Sequence, residues 1–213
     1  MPLIVLEGPE GAGKTTQVAR LADRLRAKGR DVLSLREPGG TPLGEEVRRL
    51  LLDPVSDVSA RAEALLYMAS RAHLVERVIR PTLGRGATVL LDRFFLSTYA
   101  YQVGGRGLPE SLVVAANQLA VGDVRPDLTI LLALPASAGL ARATKRGPHD
   151  RIEQADTEFH ERVSRAFTAF ASPVWQSAHP EAGPVAVVDA SGSVADVEAR
   201  VSEALYARLP ALA

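Results

Sequence analysis

Residues 7–16 read EGPEGAGKTT, directly behind the apolar run LIVL. Three glycines, a lysine and two threonines in ten positions admit two readings: a tight strand-to-helix turn, or a cradle for phosphate. Gly8 to Thr15 match G-x-x-x-x-G-K-[ST] in the strand–loop–helix context that gives the pattern its chemistry. Glycines let successive backbone N–H groups turn toward one anion, and the positive end of the following helix adds to them. Gly8, Pro9, Glu10, Gly11, Ala12 and Gly13 would form the loop, with Thr16 beside it at the helix start. Lys14 would reach the β- and γ-phosphates of a nucleoside triphosphate, and the Thr15 hydroxyl would bind Mg²⁺. The chain has only three lysines, Lys14, Lys28 and Lys145, which makes a chance match rare. The cradle alone leaves kinase, switch and motor open.

Two further groups bear on that choice. In LLDRFFLSTYAYQ (90–102), Asp92 ends an apolar run and is placed to hold Mg²⁺ or its waters. Arg93 next to it sets a planar, bidentate cation beside the same centre. A nucleotide switch needs the carboxylate but has less use for a second fixed arginine; a phosphoryl transferase with an anionic acceptor needs one. The bland alternative is a surface ion pair. In ARATKRGPHDRIEQ (141–154), Arg142, Lys145, Arg146 and Arg151 crowd around Gly147 and Pro148. This segment reads as a basic flap, approximately 142–154, that closes over phosphates, or else as a solvated charged loop.

These residues need a frame. Apolar runs at 3–7, 31–35, 87–92, 128–135 and 185–190 are near-continuous, as in strands covered on both faces. Helical spacing occupies 16–29, stopping at Gly29, and 59–79, opening on Ser59 with Ala62, Leu65, Leu66, Ala69 and Leu74 available for the core. Further helices are expected over 109–121, 136–145, 155–178 and 193–208. Alternating strands and helices predict an α/β fold with a doubly wound, parallel five-stranded sheet.

With 213 residues and neither a repeat nor an obvious linker, one domain, 1–213, is expected. The 25 basic and 25 acidic residues cancel, which argues against a nucleic-acid surface. There are no cysteines, so thiolate metal sites are excluded, and the four histidines (His73, His149, His160, His179) lack metal-ligand spacing. MPLIVLEG has neither a basic leader nor a long apolar core, and no run approaches the ~18 apolar residues of a membrane span. A cytoplasmic protein with no membrane partner is expected.

Taken in order, EGPEGAGKTT, REPGGT (36–41), DRFFLSTYAYQ (92–102), RPDLTILL (125–132) and RGPHDRIEQ (146–154) resemble the thymidylate kinases of bacterial type, P-loop nucleoside monophosphate kinases. The resemblance covers nearly the whole chain. It implies phosphoryl transfer from ATP to dTMP with Mg²⁺, a short basic lid and a homodimer. It also implies site roles. Glu10 lies near the sugar 3′-hydroxyl, and Arg93 clamps the acceptor phosphate. Tyr67 stacks on thymine, Arg71 bonds its O4, and Arg48, Thr98 and Gln102 complete the base pocket. Tyr101 opposes a ribose 2′-hydroxyl, Glu37 shapes its turn, and Arg142 serves the ATP side. Catalysis would fall to Lys14, Asp92, Arg93, Arg146 and Arg151, and the metal to Thr15 and Asp92. On residue pattern alone Tyr67 also fits a core position. Another nucleotide or nucleoside kinase of the same fold, or a nucleotide-dependent switch, remains the rival reading.

Overall fold

The structure is a computed structural model that describes residues 1–144 and 150–213. Its centre is a five-stranded, all-parallel sheet: β1 (Leu3–Glu7), β2 (Val32–Arg36), β3 (Thr88–Asp92), β4 (Leu128–Ala133) and β5 (Val185–Asp189), in the order β2-β3-β1-β4-β5. The α/β fold and all five strands are as expected from the sequence. Successive side chains of each strand point to opposite faces, so the sheet has two cores. Leu3, Val5, Val89, Leu91 and Leu131 pack with the helices between β2 and β5. Ile4, Leu6, Leu90, Ile130 and Leu132 pack under α1 (Lys14–Ala27) and α10 (Val194–Arg208).

The order places β1 between β3 and β4, and ligands of such sheets collect at the carboxyl ends where the winding reverses. Register there is tight: Leu6 of β1 lies opposite Asp92 of β3, and the Arg93 N–H donates to the Leu6 carbonyl at 3.0 Å. The cradle loop and the Asp92-Arg93 turn therefore leave the sheet side by side.

The helices depart from expectation in instructive ways. α1 begins at Lys14, because Gly13, at φ 90°, ends the loop in a left-handed conformation. A helix α2 (Pro42–Leu52) follows REPGGT; Thr41 caps it by accepting from the Gly44 N–H at 2.9 Å, and Pro42 sits where a helix needs no donor. The helix expected over 59–79 is α3 (Ala60–Leu74), which runs on through a π-turn (Val75–Ile79) into α4 (Arg80–Gly84). Pro81 has no N–H for the Arg77 carbonyl, and the ladder widens there, Arg80 donating back to Val75. Contrary to expectation, Ala62, Leu65 and Ala69 of α3 face outward, Leu65 with 64% exposure, while Glu63, Ser70 and Arg71 are buried with Met68 and Leu74.

After β3 come α5 (Phe95–Thr98) and a π-helical turn, Tyr99–Gly105; then α6 (Glu110–Val121) and α7 (Ala136–Thr144). The expected helix over 155–178 is two, α8 (Thr157–Ala169) and α9 (Pro173–Ala178), parted where Pro173 starts a new first turn.

Candidate active site

One cleft at the carboxyl end of the sheet is lined by the cradle (Glu10, Gly11, Gly13, Lys14, Thr15, Thr16) and by the turn after β2 (Arg36, Glu37, Pro38). α2 and α3 add Arg48, Leu52, Tyr67 and Arg71, the segment after β3 adds Asp92, Arg93, Ser97, Thr98, Tyr101 and Gln102, and Asp150, Ile152 and Glu153 close it. Of the residues singled out in the sequence, Lys14, Thr15, Asp92, Arg93, Glu10, Glu37, Arg48, Tyr67, Arg71, Thr98, Tyr101 and Gln102 thus share one wall-to-wall space. Arg146 lies outside the described residues.

On the cradle side, the Lys14 amine donates to the carbonyls of Gly8 at 2.9 Å and Pro9 at 2.8 Å. Burial, then the neighbouring Arg93 charge, lower its pKa to about 8. The Thr15 hydroxyl donates to Asp92 Oδ2 at 2.5 Å. No group of three or more metal-binding His, Cys, Asp or Glu occurs among the described residues. A hydroxyl converging with a single carboxylate nonetheless fits Mg²⁺, a hard cation that keeps waters and takes substrate phosphates as its other ligands. The loop also leans on α7: a β-carbon on Gly11 would stand 2.1 Å from the Gly139 carbonyl oxygen, and one on Gly139 would stand 2.3 Å from that of Glu10.

Arg93 marks the border between the cradle and the rest of the cleft. It alone among described non-glycine residues has a positive φ, 72°. Its guanidinium pairs with Glu10 and donates to Ser97 Oγ at 2.9 Å and, more weakly, to the Gly8 carbonyl at 3.3 Å. Burial opposes its charge, yet Glu10 together with Tyr101, Asp92 and Glu7 outweighs this and holds its pKa well above the ordinary value. The Tyr101 hydroxyl donates to Glu10 at 3.0 Å, and its ring lies 5.2 Å from the Arg93 guanidinium carbon.

Farther in, Arg71 is 2% exposed and all three of its nitrogens are held by protein. Nε donates to Glu37 at 2.8 Å, Nη1 to Thr98 Oγ1 at 2.8 Å and to Asn117, and Nη2 to the Phe94 carbonyl at 2.9 Å with Glu37 again at 2.6 Å. A base carbonyl can be reached from Arg71 only by sharing or replacing one of these bonds. Arg48 donates to the Pro38 carbonyl at 3.1 Å.

Arg151 makes its side-chain bonds to α2 and α3. Its Nη2 donates to Glu63 at 2.6 Å and its Nε to the Leu51 carbonyl at 2.7 Å. Glu63, with no exposure, also accepts from Arg106 at 2.9 and 3.0 Å and from Gln102 at 3.1 Å. The contact with a transferring phosphoryl group expected from the sequence would require the Arg151–Glu63 pair to open. Glu63, Ser97, Arg106 and Asn117 escaped the sequence reading. Glu63, Tyr67 and Arg71 are spaced four apart on α3, a polar stripe that betrays the inward face once two of its members are suspected.

Arg142 donates to the Ala190 carbonyl at 3.2 Å and lines a second recess with Gly11, Thr16, Gln17, Gly192, Ser193 and Val197. This recess adjoins the cradle from the β5–α10 side; Gly11, Thr16 and Arg142 were singled out in the sequence for the ATP side, whereas Gln17, Gly192, Ser193 and Val197 were not.

Fold and site define an α/β protein consistent with a P-loop kinase, with a cation-lined cleft beside the glycine-rich loop that follows β1. The family model for thymidylate kinase matches residues 6–201, and the chain belongs to that family. It is similar to the thymidylate kinase of Deinococcus radiodurans, 49% identical over 205 residues spanning 96% of both chains. It is also similar to those of Pseudomonas syringae pv. tomato, 49% identical over 95% of this chain and 93% of the relative, and Pseudomonas fluorescens, 50% identical over 92% and 90%.

Proposed function

We propose that this protein transfers the terminal phosphoryl group of ATP to dTMP, giving ADP and dTDP. The observation that carries the reading is the placement of Arg93, fixed by Glu10 and Ser97 at the border between a triphosphate cradle and an enclosed cleft rich in arginine and tyrosine. A switch would have no use for that second, acceptor-side half.

The acceptor phosphate is already largely dianionic at neutral pH, so positioning and charge stabilisation do most of the work. Lys14 would exchange its two carbonyl partners for phosphate oxygens. Arg93 would hold the acceptor phosphate, and Glu10, already paired to it, would keep the guanidinium aimed while facing the sugar. Tyr67 supplies a flat ring for the base; Arg48, Thr98 and Gln102 surround it, and Arg71 reads it if Thr98 or Asn117 yields a bond. Tyr101 crowds the sugar side. Mg²⁺, held by Thr15 and Asp92, would neutralise phosphate charge. Arg142 and the recess beside it serve the ATP side, and Arg146 is retained as the lid cation. Arg151 would act catalytically only after leaving Glu63; paired as it is, it braces the cleft wall.

The same proposal includes a homodimer. Leu65 and Ala69 of α3 and Leu112 and Leu119 of α6 are exposed, the three leucines by 64%, 66% and 88%, on two helices packed against each other. Such a face is a typical subunit contact. Among the described residues no helix is long and apolar enough to cross a membrane, and the cytoplasmic placement belongs to this proposal.

The test is a panel of nucleoside monophosphates and nucleosides given ATP and Mg²⁺, read by ADP release and product mass. dTMP should give dTDP with the highest kcat/KM. Equal rates with dCMP, or ADP release that no acceptor stimulates, would reject the reading.

A further inference from the structure

Glu7, the last residue of β1, is fully buried behind the cleft, and none of the roles above uses it. Its Oε1 accepts from the backbone N–H of Phe94 at 2.7 Å and of Ser97 at 3.1 Å. Its Oε2 accepts from the Ser97 hydroxyl at 2.6 Å. Ser97 Oγ in turn accepts from Arg93 Nη1 at 2.9 Å.

A serine hydroxyl has one proton and two lone pairs. With the proton committed to Glu7, only lone pairs face Arg93, and the guanidinium gains a fixed acceptor. A carboxylate can only accept, so it sets the direction of this relay. The two backbone bonds hold the turn that follows Arg93, whose left-handed conformation a β-carbon disfavours. Such a backbone persists only where its surroundings over-determine it. Thus one buried acid fixes both the main chain next to Arg93 and a partner of its guanidinium.

We infer that Glu7 is a positioning residue that, through Ser97, sets Arg93 for the acceptor phosphate. The inference rests on the proposed function, which makes that phosphate the target of Arg93. A plain capping role would need only the two backbone bonds. The Ser97 link adds a directional path into the site.

Glu7→Gln tests the direction with almost no change in volume. Its amide must put an NH₂ group either against two backbone donors or against Ser97 Oγ. In the second case the hydroxyl meets two donors, and its proton must turn elsewhere. The measurement is calorimetric binding of dTMP and of thymidine, which lacks the phosphate, by the wild type, Glu7→Gln, Ser97→Ala and Arg93→Ala.

The expected result is a dTMP affinity lowered about tenfold in Glu7→Gln, the factor lost with one charge-assisted hydrogen bond, with thymidine affinity held within about twofold. Ser97→Ala should shift the ratio of the two affinities in the same direction, and it carries the test if Glu7→Gln does not fold. In an Arg93→Ala background, Glu7→Gln should leave that ratio unchanged, because the two act as one unit. Equal weakening of both ligands, or a wild-type ratio in Glu7→Gln and Ser97→Ala, would overturn the inference and leave dTMP phosphorylation standing. A wild-type protein that neither prefers dTMP to thymidine nor phosphorylates it would overturn the proposed function, and this inference with it.

Discussion

Replacing Glu63 by glutamine keeps its shape and removes its charge from a place where four donors converge. Gln102 and Arg106 Nε approach one oxygen at 3.1 and 3.0 Å; Arg106 Nη2 and Arg151 approach the other at 2.9 and 2.6 Å. In the variant an NH₂ group must face two of those donors. Glu63 is unexposed, and the arginine side chains are only 23% and 12% exposed, so water cannot replace the lost partner. Removing one member of a buried ion pair costs about 3–5 kcal/mol, which for a chain of this size lowers Tm by roughly 6–20 °C. Burial alone would raise the Glu63 pKa, but the bonds and charges of Arg106 and Arg151 outweigh it, and its pKa lies below the ordinary 4.5. The stability it confers is therefore complete above that value and is lost as pH falls through the lowered one. The gap between wild type and Glu63→Gln, measured by urea unfolding at a series of pH values, should be widest near neutrality and should close in acid. Because Gln102 and the 150–153 segment line the cleft, KM for dTMP should rise about tenfold or more while KM for ATP holds. A loss under about 1 kcal/mol at pH 7, or a gap that ignores pH, would refute the reasoning.

Three further expectations follow from the site and surface. ATP binding above pH 8 should take up a proton, because burial has lowered Lys14 to about 8 and the triphosphate's charge restores it; calorimetry in buffers of different ionisation enthalpy should show uptake there and little at pH 6.5, and Lys14→Arg should abolish it. Arg71→Lys offers one nitrogen where three serve Glu37, Thr98, Asn117 and the Phe94 carbonyl, and should cost ~3 kcal/mol by urea unfolding; a loss near zero would mean that the network carries no stability. Leu119→Glu, on the exposed face of α6, should convert a dimer to monomers in light scattering without a fall in Tm beyond that of dissociation; a persistent dimer would place the interface elsewhere.

The sheet could be read from the sequence because β1, β3 and β4 are covered on both faces, which forces uninterrupted apolar runs such as LIVLE and LTILL. The loop between β1 and α1 was legible for a similar reason: its glycines stand at fixed spacing where the backbone takes positive φ. Helix α2 was missed because its first residues, Pro42 and Gly44, read as the tail of a turn, although Pro42 at a first helical turn is favourable. The core face of α3 was misassigned because helical periodicity assumes that apolar residues point inward. Here Glu63, Ser70 and Arg71 point inward beside Met68 and Leu74, and Ala62, Leu65 and Ala69 are left outside. Glu7 hid at the end of an apolar run, where its partners, Phe94 and Ser97, lie 87 and 90 residues away. Arg151 was placed by pattern beside phosphate, yet Glu63, 88 residues earlier in the chain, is its neighbour.

The meeting of Gly11 and Gly139 has a consequence for how this chain can change over generations. At each position the obstacle to a side chain is a carbonyl oxygen of the facing segment, Gly139 in one case and Glu10 in the other. Every amino acid carries that oxygen, so no second substitution at the opposing site can make room. The two positions form a lock without a compensating key, and the loop between β1 and α1 cannot drift in shape unless the helix leading to the basic segment drifts with it.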